Sequence, residues 1–421
     1  MLDNREGGTM PSAHDDTLLH SFLRYVAVDT QSSEESTTFP STAKQKDLIK
    51  LLSEELRALG VTDVTVDEYG YLYAGLRASP GAEHTPAIAL LAHVDTSPAC
   101  SGSGVMPRLH EQYDGSPILL EQGVVLDPNE NPPLAAALGD TIITADGTTL
   151  LGADDKAGVA EIMEVVRYLL THPEHPHGPV RVVFTVDEEV GTGTAHIELE
   201  KIRAAFAYTL DGSEVGELED ETFNADSMTV DITGISVHPG TAKGIMVNAI
   251  KVAAHLLSLL PADRLSPETT EEREGFLHPH GLTGSEEKAS IHFIVRDFTR
   301  EGLAAHERFL EELVAQTAAA WPKAVLTTTR KESYRNMKEA ITPEVVELAE
   351  QAMRTLGIQP IRRAIRGGTD GSRLTFMGLP TPNLFTGGYN YHGRREYAVL
   401  SHMHKAVEVV LEILRLATVR R

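Results

Sequence analysis

Only one cysteine, Cys100, occurs in the 421 residues. No disulfide can form within the chain, which fits a reducing compartment and excludes a stapled secreted scaffold. Cys100 lies in Pro-Ala-Cys-Ser-Gly, where a buried or loop thiol is expected before a nucleophile. Basic residues are in the minority, 37 against 61 acidic ones, for a net charge of −24 with histidine neutral. That balance excludes broad binding to nucleic acid or anionic membranes, which need basic patches. Acidic groups are, in contrast, what divalent metals require. No uninterrupted 18-residue apolar run occurs, so no membrane-spanning helix is expected. The opening MLDNREGGTMPSAHDD has neither a basic n-region nor an apolar core, so it does not read as a signal peptide. Fixed-period repeats and low-complexity tracts are also missing. These absences point to a cytoplasmic protein.

At 41% hydrophobic residues the chain can bury a large core, and its length calls for two domains. Helical spacing of apolar residues predicts helices over 16–28 and 42–59, the second closed by Gly60. Apolar runs then end repeatedly in polar clusters. Residues 88–92 end at His93-Val-Asp95, 148–152 at Asp154-Asp-Lys, 180–186 at Asp187-Glu-Glu, and 204–210 at Asp211-Gly. Helical patterns lie between such runs. This predicts an α/β fold with a mostly parallel mixed sheet covered by helices on both faces. Ligands bind such sheets beyond the carboxyl ends of the strands, so the polar clusters are expected to meet in one crevice. From residue 223 the texture changes to strand–helix–strand–helix–strand, read as an inserted α+β ferredoxin-like domain over 223–334. Within it, 266–285 reads as a loop. The larger domain then comprises 1–222 and 335–421, with a helix over 343–356, a short strand at 382–385 and a last helix over 396–415.

His93 and Asp95 are two apart on an extended segment and point to one side. Imidazole is the commonest metal ligand, and a neighbouring carboxylate can hold its other ring nitrogen. Asp155 suits a helix N-cap, leaving Asp154 to project into the crevice, where one carboxylate can bridge two cations. Glu188 and Glu189 are adjacent, so one can ligate while the other moves a proton. Asp211 ends the next run. His392 sits late in the chain in Gly-Gly-Tyr-Asn-Tyr-His-Gly. Each has a structural explanation alone; their joint placement at loop starts is hard to reach by chance. Imidazole with carboxylate suits Zn²⁺, with Mn²⁺ or Co²⁺ as alternatives. The prolines of His172-Pro-Glu-His175-Pro-His177 make that tract a connecting loop.

His93-Val-Asp95-Thr, Gly152-Ala-Asp154-Asp-Lys-Ala-Gly, Asp187-Glu188-Glu189-Val-Gly, Asp211-Gly and the late His392 resemble the co-catalytic zinc peptidases and deacylases. Longer strings around Val237-His-Pro-Gly-Thr, Ile365-Arg-Gly-Gly-Thr-Asp-Gly and Met377-Gly-Leu-Pro-Thr-Pro-Asn resemble the tripeptide-aminopeptidase branch of that family. The likeness runs from about Thr17 to Arg415; the first 14 or so residues resemble an added extension, and Ser213 stands where the family pattern has glycine. The resemblance implies two Zn²⁺ per chain: one on His93 and Asp211, one on Glu189 and His392, with Asp154 bridging. It further implies that Asp95 orients His93 and that Glu188 serves as general base to activate the attacking water. The inserted domain would act as a lid carrying His238 to the oxyanion. Asn248, Arg296 and Arg366 would bind the substrate backbone or carboxylate; structural pairing is the other reading of both arginines. The implied activity is release of the N-terminal residue from tripeptides. A di-zinc dipeptidase or an N-acyl amino acid deacylase, and less so a non-catalytic peptide-binding protein, are the alternatives. The partner would be a small peptide, and a homodimer is left open.

Overall fold

Two apolar runs, Ile88–His93 and Val180–Thr185, are buried at every position, as expected of strands covered on both faces. In the computed structural model, which describes residues 16–420, they are central in an eight-stranded sheet. Its order is Asp63–Val66, Leu72–Leu76, Val180–Thr185, Ile88–His93, Phe206–Gly212, Asn383–Phe385, Glu217–Thr222, Ile361–Ile365. The four strands from Val180–Thr185 to Asn383–Phe385 run parallel to one another, and the other pairings that have a defined register are antiparallel. His93 pairs with Thr185, and Leu91 with Thr209. The carboxyl ends of three strands therefore stop at one edge. The expected N-terminal extension falls outside the described residues.

The described residues divide into two compact units: 16–220, 341–363 and 369–420 form one, and 221–340 with 364–368 form the other. In the larger, the helix Ala153–Thr171 packs on Ile88–His93 and Phe206–Gly212, and the helices Thr17–Val26 and Leu400–Val419 pack on it. The helix Gln45–Ala58 packs on the strands Asp63–Val66 and Leu72–Leu76. The smaller unit has a four-stranded antiparallel sheet, ordered Phe276–Gly284, Lys288–Asp297, Asn224–Thr233, Val325–Tyr334. The helices Ala249–Ser258 and Arg300–Ala320 pack on it around one apolar cluster. Among the described residues no helix is long and apolar enough to cross a membrane.

Three local expectations are corrected. The run 148–152 is not a strand; it is irregular and leads straight into the helix at Ala153. The strand of that region is Ile142–Thr144, in a separate four-stranded sheet with Gly388–Tyr389, Tyr397–Val399 and Arg108–His110. The last helix starts at Leu400, not 396, because Tyr397–Val399 pairs with Ile142–Thr144 instead. Part of the 266–285 loop is the strand Phe276–Gly284. Its Pro279 and Gly281 flank a register shift on the sheet edge, where a residue without an N–H is tolerated.

Candidate metal centre

Each chemical group is delivered by an element whose end its own sequence sets. His93 closes a buried strand. Asp154 follows the loop glycine Gly152, whose φ of 84° is left-handed. Asp155 lies in the irregular first turn of the helix, whose N-cap is Gly152; one of its oxygens accepts from Gly158 N at 3.3 Å and the other from His93 N at 3.1 Å. Glu188 and Glu189 open the turn after Val180–Thr185, and Asp211 lies at the end of Phe206–Gly212. His392 sits in a loop at φ 64°. The neighbouring Tyr391 hydroxyl donates to Gly212 O at 2.8 Å. Ser213 donates to Gly388 O at 2.7 Å, so the departure at that position adds a tie between the Asp211 and His392 segments.

The seven larger-unit candidates converge. His93 Nε2 lies 3.0 Å from Asp154 Oδ1 and 3.5 Å from Asp211 Oδ1. His392 Nε2 lies 2.9 Å from Asp154 Oδ2 and 3.0 Å from Glu189 Oε2. Two donor groups result, His93–Asp154–Asp211 and Asp154–Glu189–His392, each with ligand atoms within 4.8 Å of one another. Asp154 belongs to both, one oxygen towards each imidazole. His93 Nδ1 donates to the Asp95 main-chain carbonyl at 3.0 Å, which orients the ring with Nε2 towards Asp154 and Asp211. The Asp95 carboxylate is 3.4 Å from Nδ1, and its two oxygens accept from Glu188 N at 3.0 Å and Glu189 N at 3.2 Å. It thus joins the His93 strand end to the glutamate turn.

The electrostatics are those of a site built for cations. Burial pushes Glu188 well above the ordinary carboxylate range, with repulsion from Asp211, Asp370 and Glu189 adding to it. Burial and the Asp154 charge push Glu189 up to about 7. Asp211 is raised by burial, though His93 opposes this. Burial also works against charge on Asp154, yet His392 and His93 hold it below its usual value. Burial disfavours the His93 imidazolium, but Asp211, Asp154 and Asp95 hold its pKa well above the ordinary one. Asp154 and Glu189 push His392 up to about 11. Glu189 Oε1 is buried without a hydrogen-bond partner. Two imidazoles, three carboxylates and an orphaned buried oxygen fit a pair of divalent cations, which would neutralise the repulsion.

This sets a pH dependence. Without metal, His392 keeps its proton throughout the neutral range, since its pKa of about 11 is raised from 6.5. A cation needs the neutral imidazole, so uptake releases protons and affinity rises with pH, roughly tenfold per unit for each proton displaced. Calorimetry in buffers of different ionisation enthalpy is expected to show net proton release at pH 7.

The other four candidates belong to the smaller unit. His238 is exposed, its Nδ1 accepting from Gly240 N at 3.1 Å. Asn248 caps the helix Ala249–Ser258, its Oδ1 accepting from Ile250 N and Lys251 N at 2.9 and 3.3 Å. Arg296 donates to Asp226 O and Val295 O at 3.2 and 2.9 Å and lies over the Tyr334 ring. Arg366 donates to Glu272 O, Glu274 O and Thr270 O and lies over Phe223 and Phe276. Two residues of the larger unit went unnoticed in the sequence. Asp187, known only as part of a motif, accepts from Ser41 N and Gln45 Nε2 at 2.5 and 2.6 Å and anchors the glutamate turn to the helix Gln45–Ala58. Asp370, 6% exposed, accepts from Thr185 Oγ1 at 2.8 Å behind Glu188. The Gly-Gly-Thr-Asp string was its signal, read for the arginine beside it.

Residues 143–416 match the pattern of peptidase family M20/M25/M40. The chain belongs to that family. Within it the chain is 49% identical over 397 residues to peptidase T of Clostridium perfringens (strain 13), covering 94% of this chain and 97% of that one. It is likewise 49% identical to peptidase T of Geobacillus kaustophilus, over 95% and 98% of the two chains. These relatives make it a peptide hydrolase of the peptidase T group in this family. Among solved structures, aminopeptidase PepT from Bacillus cereus superposes with a TM-score of 0.73 at 25% identity, over 96% of this chain and 98% of that one. A dinuclear metal binding M20 peptidase from Bacillus subtilis shares the fold at a TM-score of 0.64 and 15% identity, over 95% and 97%.

Proposed function

We propose that this M20 peptidase is a metal-dependent aminopeptidase that releases the N-terminal residue from tripeptides, with two Zn²⁺ per chain. Mn²⁺ and Co²⁺ suit the same donors. The observation that carries the reading is Asp154, whose two oxygens meet two different imidazoles at 3.0 and 2.9 Å. His93 and Asp211 would complete one ligand set, Glu189 and His392 the other. Bound there, the cations would polarise the scissile carbonyl, stabilise the oxyanion and acidify water.

The protein's own groups do the rest. Glu188, half-buried and favouring its protonated form in the metal-free site, gains its charged form once cations lie beside it. It then takes a proton from the attacking water as the oxygen–carbon bond forms. It delivers that proton to the peptide nitrogen as the carbon–nitrogen bond breaks, so the same carboxylate acts as base and acid. Asp95 holds the main chain of Glu188 and the ring of His93 at once, fixing base and ligand relative to each other. The sequence resemblance supports the tripeptide preference, as does the peptidase T name of the relatives. The single cysteine supports a cytoplasmic location.

The test is N-terminal residue release from a free tripeptide, compared with the N-acetylated tripeptide and the matching dipeptide. The free tripeptide is expected to be cut at least tenfold faster than either. Preferred cleavage of the blocked substrate would move the function to a deacylase, and preferred cleavage of the dipeptide to a dipeptidase.

A further inference from the structure

Asp154 and His392 touch at 2.9 Å but come from segments 238 residues apart. Something must hold those segments in register. Glu396 stands four residues after His392, at the entry to the strand Tyr397–Val399, and is 1% exposed. Its Oε2 accepts from Leu151 N at 2.8 Å and Gly152 N at 2.9 Å, and its Oε1 from Asp154 N at 3.1 Å. All three donors are main-chain amides of the loop that presents Asp154. A buried carboxylate presents an acceptor oxygen to each of the three N–H donors, which a carboxamide cannot do. Glutamine would turn an NH₂ group towards at least one N–H.

We infer that Glu396 is a positioning residue that locks the His392 loop to the Asp154 loop and thereby sets the affinity of the Asp154–Glu189–His392 site. This rests on the two-metal reading above. Glu396 coordinates nothing itself; it acts through the backbone on which Asp154 is carried. The other site shares Asp154 but is less dependent on Glu396, because its remaining ligands His93 and Asp211 are fixed by neighbouring strands of the large sheet, whereas His392 lies on the segment that Glu396 ties down.

The experiment is calorimetric titration of metal-stripped full-length protein with Zn²⁺, for wild type, Glu396→Gln, Glu396→Asp and Asp67→Asn. Asp67 is a control for loss of a carboxylate charge away from the site. It accepts from Tyr69 N, Gly70 N and Tyr71 N at 3.1, 3.0 and 3.0 Å in the turn before the strand Leu72–Leu76. All three bonds end on Oδ1, an oxygen that asparagine keeps, so Asp67→Asn removes the charge of an amide-bonded carboxylate without touching a candidate ligand. Wild type is expected to bind two ions. Glu396→Gln is expected to bind the second ion roughly 10–100-fold more weakly, the usual effect of losing an outer support of a metal ligand. The first ion should change far less, Asp67→Asn should bind both ions as wild type does, and Glu396→Asp should fall between. Wild-type affinity for both ions in Glu396→Gln overturns the inference, as does equal weakening in Asp67→Asn. Should Glu396→Gln not fold, the shorter Glu396→Asp replaces it: a weakened second ion supports the inference and an unchanged one overturns it. Fewer than two ions on wild type overturns the two-metal reading itself, and this inference with it.

Discussion

Replacing Glu188 with alanine lowers kcat by roughly 10²–10⁴-fold and leaves both metal ions bound. The loss corresponds to about 3–5 kcal/mol of transition-state stabilisation. The reasoning is geometric. Glu188 belongs to neither donor group, whereas its neighbour Glu189 belongs to one. Its main-chain N–H is held by Asp95 at 3.0 Å, and that bond survives truncation of the side chain. The ligands therefore keep their places while the proton carrier is gone. KM for a tripeptide should move little compared with kcat, because the group acts on the reacting water. Steady-state kinetics with metal analysis of the same sample checks both halves. Near-normal kcat in the alanine variant would remove Glu188 from the mechanism.

Asp154→Ala is expected to have an effect at least as large, but by a different route. It takes one oxygen from each donor group, so both ions weaken together. It also leaves His93 and His392 without the carboxylate that each meets at 3.0 and 2.9 Å. Since bound cations supply several kcal/mol to the reaction, activity at limiting metal should fall on the order of 10³-fold or more. Excess metal should restore part of it. The contrast with Glu188→Ala is the informative result: one variant keeps its ions and loses turnover, the other loses both. Elemental analysis after desalting distinguishes them.

The candidate residues were legible because each follows a local pattern break. His93, Glu188, Glu189 and Asp211 stand where a buried apolar run gives way to charge, and period and polarity suffice to mark such a point. Asp154 was found by the same rule for an imperfect reason: the run before it is irregular, and its strand pairing was never formed. The supports were not legible. Glu396 lies 242 residues from the amide of Asp154 that it binds, and no spacing rule connects them. Helical periodicity ran back through Tyr397–Val399 and hid it in an expected helix, until pairing with Ile142–Thr144 claimed those residues for a sheet. Arg366 shows the same limit. Its position in a motif left both substrate binding and structural pairing open, and its guanidinium meets the carbonyls of Thr270, Glu272 and Glu274. Composition alone cannot tell an arginine that binds substrate from one that orders a loop. The Phe276–Gly284 strand escaped notice because proline and glycine mark turns more often than edge strands.

The most direct measurement is N-terminal residue release from a tripeptide by metal-stripped protein, followed as Zn²⁺ is added in known equivalents. The account predicts negligible release without metal and a rise that levels off at two ions per chain. Undiminished release from the stripped protein, or a plateau at one ion that a second leaves unchanged, would contradict it.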